Sequence, residues 1–345
     1  MDWEKINCYV LKKQHLINKC NNIVKCVEDI AGLNSITATT PYLSLFNRIK
    51  DFKKSMLDEE MYEKKRLYRL RLMRSTLFIV TRNFLPIAYS ATIDRTQKRL
   101  SGRWKDYKLS EKEFGRLKDE IIAVLGKGEK TAVEIRKEME TNVSISLILR
   151  LLMEDVPLLR GRPLGTWKGE QFRYSLLPQN IKLRMNKEKA KILLVEKFLE
   201  SFGPANLKDM AWWGGFSQRE SKKILEEIKT IDIGDDLLLL EREAEDFENF
   251  KVGEESLLLM SGCDQYVITY KYSMYPRFVN QEYLKKIYGG YGELHNPIIR
   301  NGRIIGRWYI KEGKIGYLLY EKIDNKTKLN QKIGEMKKFH GESYF

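Results

Sequence analysis

The sequence predicts an α+β chain in which three tandem units, each a set of helices closed by a β-hairpin, precede a β-rich C-terminal domain. Three observations carry that expectation. Two capping boxes, Thr131 with Glu134 and Ser217 with Glu220, each open a short helix ahead of paired short strands. The Asn301-Gly302 pair, set between two apolar runs, is a two-residue hairpin signal. A length of 345 residues exceeds what one core ordinarily serves. The units are placed at residues 1–105, 106–182, 183–250 and 251–345.

In the first unit, helical apolar spacing covers 9–30 and 42–56; Leu43, Leu45, Phe46 and Ile49 share a face that Lys50, Lys53 and Lys54 avoid. Residues 66–74 read as a continuing, very basic helix, and 77–80 as a short buried strand stopped by Pro86. In the second unit, a helix over 114–125 ends at Gly126-Lys127-Gly128, Thr131 caps the next, and 144–153 supplies a third. Short strands at 158–160 and 172–176 then flank a glycine-rich loop. Three helices followed by a hairpin is the order of a winged helix, with the hairpin as its wing. Arg160, Arg162, Lys168 and Arg173, with Trp167 among them, suit a wing lying along a phosphate backbone; an ordinary basic hairpin is the other reading.

The third unit repeats the plan. Helices are expected over 190–202, over 207–213 before Gly214-Gly215, and from Ser217 to 228, then an acidic hairpin at 231–233 and 237–240. Trp212 and Trp213 read as an interdomain core plug in preference to a base-stacking platform. Residues 244–255 read as an acidic linker. Strands are expected over 256–260, 266–270, 298–306, 307–310 and 315–320, then a basic tail helix near 329–338. The fold class is therefore three tandem winged-helix domains followed by a β-rich domain.

Lysine and arginine number 62 against 47 acidic residues, a net charge of +15. The excess sits at the ends: 21 basic against 10 acidic over 1–105, and 15 against 8 over 256–345. Between them the balance is 13 against 12 over 106–180 and 13 against 17 over 181–255. Two basic surfaces facing a polyanion fit this, as does a lysine-rich solubilising surface. Cys8, Cys20, Cys26 and Cys263 form no CxxC pair, and with three histidines no zinc site is expected. The thiols read as reduced, in a cytoplasmic, nucleoid-associated protein. No run approaches the roughly 18 apolar residues of a membrane span, and the first residues do not form a secretory signal. Gly289-Gly290-Tyr291-Gly292 lacks the phosphate-loop frame. Nothing around Lys13 or Lys271 marks a Schiff-base nucleophile.

Several segments carry a resemblance. Gly32-Leu33, then 41–48 (PYLSLFNR), Leu72-Met73-Arg74-Ser75-Thr76-Leu77, Arg160-Gly161-Arg162-Pro163 with 171–174 (QFRY), 203–215 (GPANLKDMAWWGG), Asp264-Gln265-Tyr266 with Tyr270-Lys271, and 302–308 (GRIIGRW) occur in order. Together they resemble the AlkZ/YcaQ family of winged-helix DNA glycosylases. The resemblance implies a concave, basic scaffold that binds double-stranded DNA and hydrolyses the N-glycosidic bond of alkylated or crosslinked purines, without metal or cofactor, as a monomer. In that family a glutamine pair, or a glutamine with an aspartate, orients the attacking water. Here those positions hold Asn34 and Ile36, and Phe78 replaces the histidine after the LMRGTL segment. Asn34, which retains an amide, is the candidate catalytic residue; an asparagine that turns the chain is the other reading. DNA contacts are assigned to Thr37, Lys53, Lys54, Arg74, Arg160, Arg162, Lys168, Arg173, Lys271 and Arg303. A non-catalytic homologue recognising damaged DNA, structured DNA or a regulatory site remains the competing function, and a helical adaptor a third.

Overall fold

One topology recurs three times along the chain in the computed structural model, which describes residues 1–341 apart from Ser101, Tyr291 and Asn325. After helix α1 (Trp3–Lys13), the first unit runs α2 (Ile23–Asp29), β1 (Leu33–Asn34), α3 (Thr40–Arg48), α4 (Lys54–Asp58), β2 (Leu67–Arg71) and β3 (Leu77–Thr81). Its antiparallel sheet has the order β1-β3-β2. A long helix, α5 (Leu85–Leu100), leads on. The second unit runs α6 (Glu111–Gly126), β4 (Lys130–Thr131), α7 (Ala132–Lys137), α8 (Ile145–Asp155), β5 (Leu158–Pro163) and β6 (Phe172–Leu176), with the equivalent order β4-β6-β5. The third has α9 (Lys187–Phe202), α10 (Leu207–Gly214), α11 (Gln218–Leu225), β7 (Thr230–Asp232) and β8 (Leu238–Leu240). There the first strand shrinks to a single bridge from Ala205 to Leu238.

Local chemistry explains the recurrence. The Thr131 hydroxyl accepts from the Glu134 N–H while the Glu134 carboxylate accepts from the Thr131 N–H, the reciprocal box expected. Ser217 accepts from the Glu220 N–H, but the Glu220 carboxylate pairs with Lys191 instead of closing the box. Gly215, at φ 76°, ends α10 in the left-handed region.

The C-terminal part adds α12 (Ala244–Asn249), β9 (Leu257–Leu259), α13 (Gln265–Ile268), α14 (Met274–Arg277), β10 (Pro297–Arg300), β11 (Arg303–Lys311), β12 (Lys314–Leu319) and α15 (Lys326–Gly341). Its sheet has the order β12-β11-β10-β9. Asn301 and Gly302 form the hairpin at φ 45° and 79°. A Cβ on Gly302 would lie 2.3 Å from the Asn7 Cβ, so close approach as well as conformation requires glycine.

Five expectations are corrected. Residues 66–74 form strand β2 and a tight turn, because Tyr68, Leu70 and Leu72 alternate into one core while Leu67 faces another. Residues 266–270 begin as helix α13, because the Asp264 carboxylate caps it by accepting from the Tyr266 N–H. The supposed linker contains α12, in which Phe247, and just after which Phe250, pack edge-on to Tyr9 at 5.1 and 5.4 Å. The two long helical runs of the first unit are each broken, by His15 at φ 56° and by extended backbone at Ile49. Strand β3 ends at Thr81, and Pro86 lies in the first turn of α5, where a proline's missing N–H costs nothing.

The cores cross the unit divisions. One joins β2, β3 and α5 to α9, α10 and the helices of the C-terminal part. A second joins α2 and α3 to β9, β10, β11 and α15. The third is mainly the second unit's own.

Candidate nucleic-acid interface

The turn between β2 and β3 sets one wall of a cleft. Arg74 and Ser75 adopt left-handed φ of 54° and 56°, which bends the turn against Gly215 at the end of α10. There the guanidinium of Arg74 lies 4.3 Å from the Trp212 ring centroid, and the ammonium of Lys271 lies 4.1 Å from it. Tyr272 meets the same ring edge-on at 6.5 Å. Trp213, about 100° further round the helix, points away into the core against Phe198 and Phe202. The tryptophan pair therefore splits: one plugs the core, the other stands between two cations.

The cleft holds about 670 Å³ and is lined by Arg74, Arg95 and Lys208 with Trp212, Phe216 and Tyr272; Arg95 is paired with Glu220 at 3.6 Å. Partial burial pushes the Arg74 guanidinium below its usual pKa. The buried Asp209 fixes the opposite side. Its carboxylate accepts from the Tyr272 N–H at 2.6 Å and from the Ser273 hydroxyl, anchoring the segment that carries Lys271.

A second cationic cleft, of about 740 Å³, lies between β2 and the β5–β6 hairpin. Arg160 stacks 3.6 Å from the Phe172 centroid, Arg162 lies 4.9 Å from that of Tyr62, and Arg173 pairs with Glu134 at 3.2 Å. Three of the four wing cations thus line one cleft. Lys168 turns aside to His340, 3.3 Å from its Nδ1, and Trp167 is buried against Tyr42 and Phe339.

The remaining assigned residues divide. Lys53 is exposed, but Lys54 is buried: its ammonium donates to the Phe339 carbonyl at 2.6 Å, near the end of α15. The assignment of Lys54 to DNA is corrected on that ground. Arg303 donates to the carbonyls of Pro276 and Arg277 and to Asn280, so it ties α14 to the sheet. Thr37 is exposed and accepts from the Thr40 N–H at 3.1 Å. Asn34 is 1% exposed; its Oδ1 accepts from the Ile36 N–H at 3.1 Å, and its Nδ2 meets no acceptor among the described residues. Ile36 is 46% exposed.

A family model described as DNA glycosylase AlkZ-like matches residues 27–339. The chain belongs to the AlkZ-like DNA glycosylase family. A solved structure, the Streptomyces sahachiroi DNA glycosylase AlkZ, superposes with a TM-score of 0.79 at 15% identity, covering 98% of this chain and 97% of that one. At that identity the likeness speaks for the fold. No curated protein sequence matches. Among the described residues, no helix is long and apolar enough to cross a membrane.

Reading the AlkZ-like sequence alone misses Arg69, Arg95, Lys208 and Tyr272. Arg69 lay in the segment read as a basic helix, and only strand geometry turns it into the second cleft. Arg95 and Lys208 belong to helices remote in sequence that no local pattern pairs. Lys13 is a different surprise. Burial lowers its pKa, yet its protons are spent on the Leu199 and Gly203 carbonyls and on Glu243, which makes it a structural tie.

Proposed function

We propose that this protein is a DNA glycosylase that binds damaged double-stranded DNA on three tandem winged helices and removes alkylated or crosslinked bases by hydrolysis. The observation that carries the reading is the first cleft, where Arg74 and Lys271 flank the Trp212 ring at 4.3 and 4.1 Å. A cationic cleft with aromatic walls attracts phosphate and offers flat surface to bases. Support for the winged-helix description comes from the threefold recurrence of helix, short strand, helix, helix and hairpin with one sheet order. N7-alkylation makes a base a good leaving group, so the protein's task reduces to placing water and steadying a cationic sugar. The unspent Nδ2 of Asn34 is the group assigned to hold that water.

The test is incubation with an N7-alkylated duplex followed by quantification of abasic sites, with Asn34→Ala alongside. Abasic sites formed by the native chain and lost in the variant support the reading. Tight binding without abasic sites establishes a second one, damage recognition without hydrolysis. The engagement of Asn34 Oδ1 by the Ile36 N–H, with no polar group at Ile36, favours that alternative.

A further inference from the structure

The second cleft holds a buried cation with unspent donors. Arg69 is 2% exposed and lines the cleft; its Nη1 donates to the Gly161 carbonyl at 3.3 Å, while Nε and Nη2 meet no acceptor among the described residues. Arg160 sits beside it: both guanidinium carbons lie over the Phe172 ring, at 5.7 and 3.6 Å, and the Arg160 Nε is likewise buried without an acceptor. The Tyr62 hydroxyl, on the same wall, has no partner either. Arg162 over Tyr62, the exposed Lys65 and Arg173 complete the cationic lining; Arg162 and Arg173 are met by Glu63 at 3.9 Å and Glu134 at 3.2 Å, and among the described residues Glu129 is the one carboxylate that lines the cleft.

Two like charges stacked on one ring repel each other. Burial depresses the Arg160 pKa, and the charge of Arg69 depresses it further. A buried unpaired cation costs several kcal/mol unless a counter-charge reaches it. Glu129 in the lining and Glu170 nearby offset part of this charge, but neither reaches the buried Nε and Nη2 of Arg69; an anion from outside fits there, since guanidinium forks with a hydroxyl match phosphate oxygens.

We propose that the cleft between β2 and the β5–β6 hairpin receives a phosphate monoester, the phosphorylated end of a DNA strand or of a free nucleotide. A monoester carries about −1.5 to −2 charge at neutral pH and three terminal oxygens, against one charge and two free oxygens on a backbone diester. It also protrudes, which a donor as deep as Arg69 requires. The cleft volume lies within the roughly 300–1,000 Å³ of small-ligand sites, ample for a terminal nucleotide. The strand source rests on the DNA-binding reading above; the free nucleotide does not.

The test measures affinity by fluorescence anisotropy for one duplex with phosphorylated and with hydroxyl ends, and by calorimetry for a deoxynucleoside 5′-monophosphate and for inorganic phosphate. Proteins compared are the native chain, Arg160→Gln and Tyr62→Phe, each checked by thermal melting. Arg69→Met removes a buried group and risks the fold, whereas Tyr62→Phe deletes one oxygen. The expected result is at least about tenfold preference for the phosphorylated end, with the ratio falling toward one in both variants. If the duplex shows no such preference or does not bind, but the mononucleotide and phosphate bind the native chain and not the variants, the site stands with a free nucleotide as ligand. Absence of duplex binding would then overturn the glycosylase reading alone. Neither ligand binding, or binding undiminished in the variants, overturns the proposal.

Discussion

Arg48 on α3 and Asp264 ahead of α13 form a two-pronged ion pair with neither side chain exposed. Both guanidinium-to-carboxylate distances are 2.7 Å. The Ser44 hydroxyl and the Tyr266 N–H also donate to Asp264, and Arg48 reaches the Ser44 carbonyl. Both residues lie in the family-like segments, and their contact fastens the first unit to the C-terminal part. Removing one partner strands a buried charge, so Asp264→Asn should lower unfolding free energy by about 3–5 kcal/mol. The double replacement Arg48→Met, Asp264→Leu should recover most of that loss. Urea unfolding of the native chain and the two variants checks this; equal losses in the single and double variants would refute it.

The same pair sets an acid limit. Burial alone would raise the Asp264 pKa, but the charge and hydrogen bonds of Arg48 with those of Ser44 and the Tyr266 N–H outweigh it, holding the carboxyl below its ordinary 3.8. A folded-state pKa below the unfolded one contributes stability above the unfolded value and loses it as pH falls through the folded value. The native chain should therefore lose stability on acidification below pH 4 more steeply than Asp264→Asn. Unfolding measured from pH 6 downward compares the two slopes.

Around Trp212, charge and stacking should separate experimentally. Arg74→Met and Lys271→Ala each remove one cation from beside Trp212, so each should reduce the salt slope of DNA binding by about one. Trp212→Ala should weaken binding by about 1–3 kcal/mol with the slope retained, as for a lost stacking surface. Anisotropy titrations from 50 to 200 mM salt measure both quantities. A Trp212→Ala variant whose slope drops as much as Arg74→Met would mean the ring only props up the cations.

Neighbouring lysines test how far surface charge was rightly read. Lys54 is spent on the Phe339 carbonyl, with its ammonium 4.8 Å from the Trp167 centroid and 4.6 Å from that of Phe339. Lys54→Met should leave the salt slope of DNA binding intact while speeding proteolysis of α15, whose last turn it holds. Lys53→Ala, at an exposed position, should lower the slope by about one and leave proteolysis unaltered.

What the sequence disclosed followed from local rules. Thr131 with Glu134, Asn301 with Gly302, and the apolar faces of α6 and α8 are each determined within a few residues, and all appear where the pattern put them. Arginines 66, 69, 71 and 74 misled because their spacing mimics a helix face. Strand pairing with β3 and burial on both sides decided otherwise, and neither is local. The clefts depend on contacts between distant segments: Arg74 with Trp212, Arg69 with Phe172. Motif likeness pointed to Arg74 and Lys271 separately, but a tryptophan read as core is what brings them together.

Ile36 offers the sharpest test of the chemistry. Its side chain is 46% exposed, so replacing it sacrifices little packing. The resemblance assigns this position a carboxamide or carboxylate that helps to orient water, and an isoleucine supplies neither donor nor acceptor. Asn34 beside it contributes only its Nδ2, since Oδ1 is already bonded to the Ile36 N–H, a bond to the backbone that a side-chain change leaves in place. Ile36→Gln should therefore raise single-turnover release of an N7-alkylated base by about 10²-fold, the low end for a positioned polar group. Duplex affinity and melting temperature should remain near native values. Asn34→Ala in that background should cancel the gain; the lost Asx-type hydrogen bond costs only about 1 kcal/mol of stability and would not account for it. Should Ile36→Gln bind alkylated duplex normally and release no base above the native rate, this segment does not orient the water, and recognition without hydrolysis becomes the function to pursue.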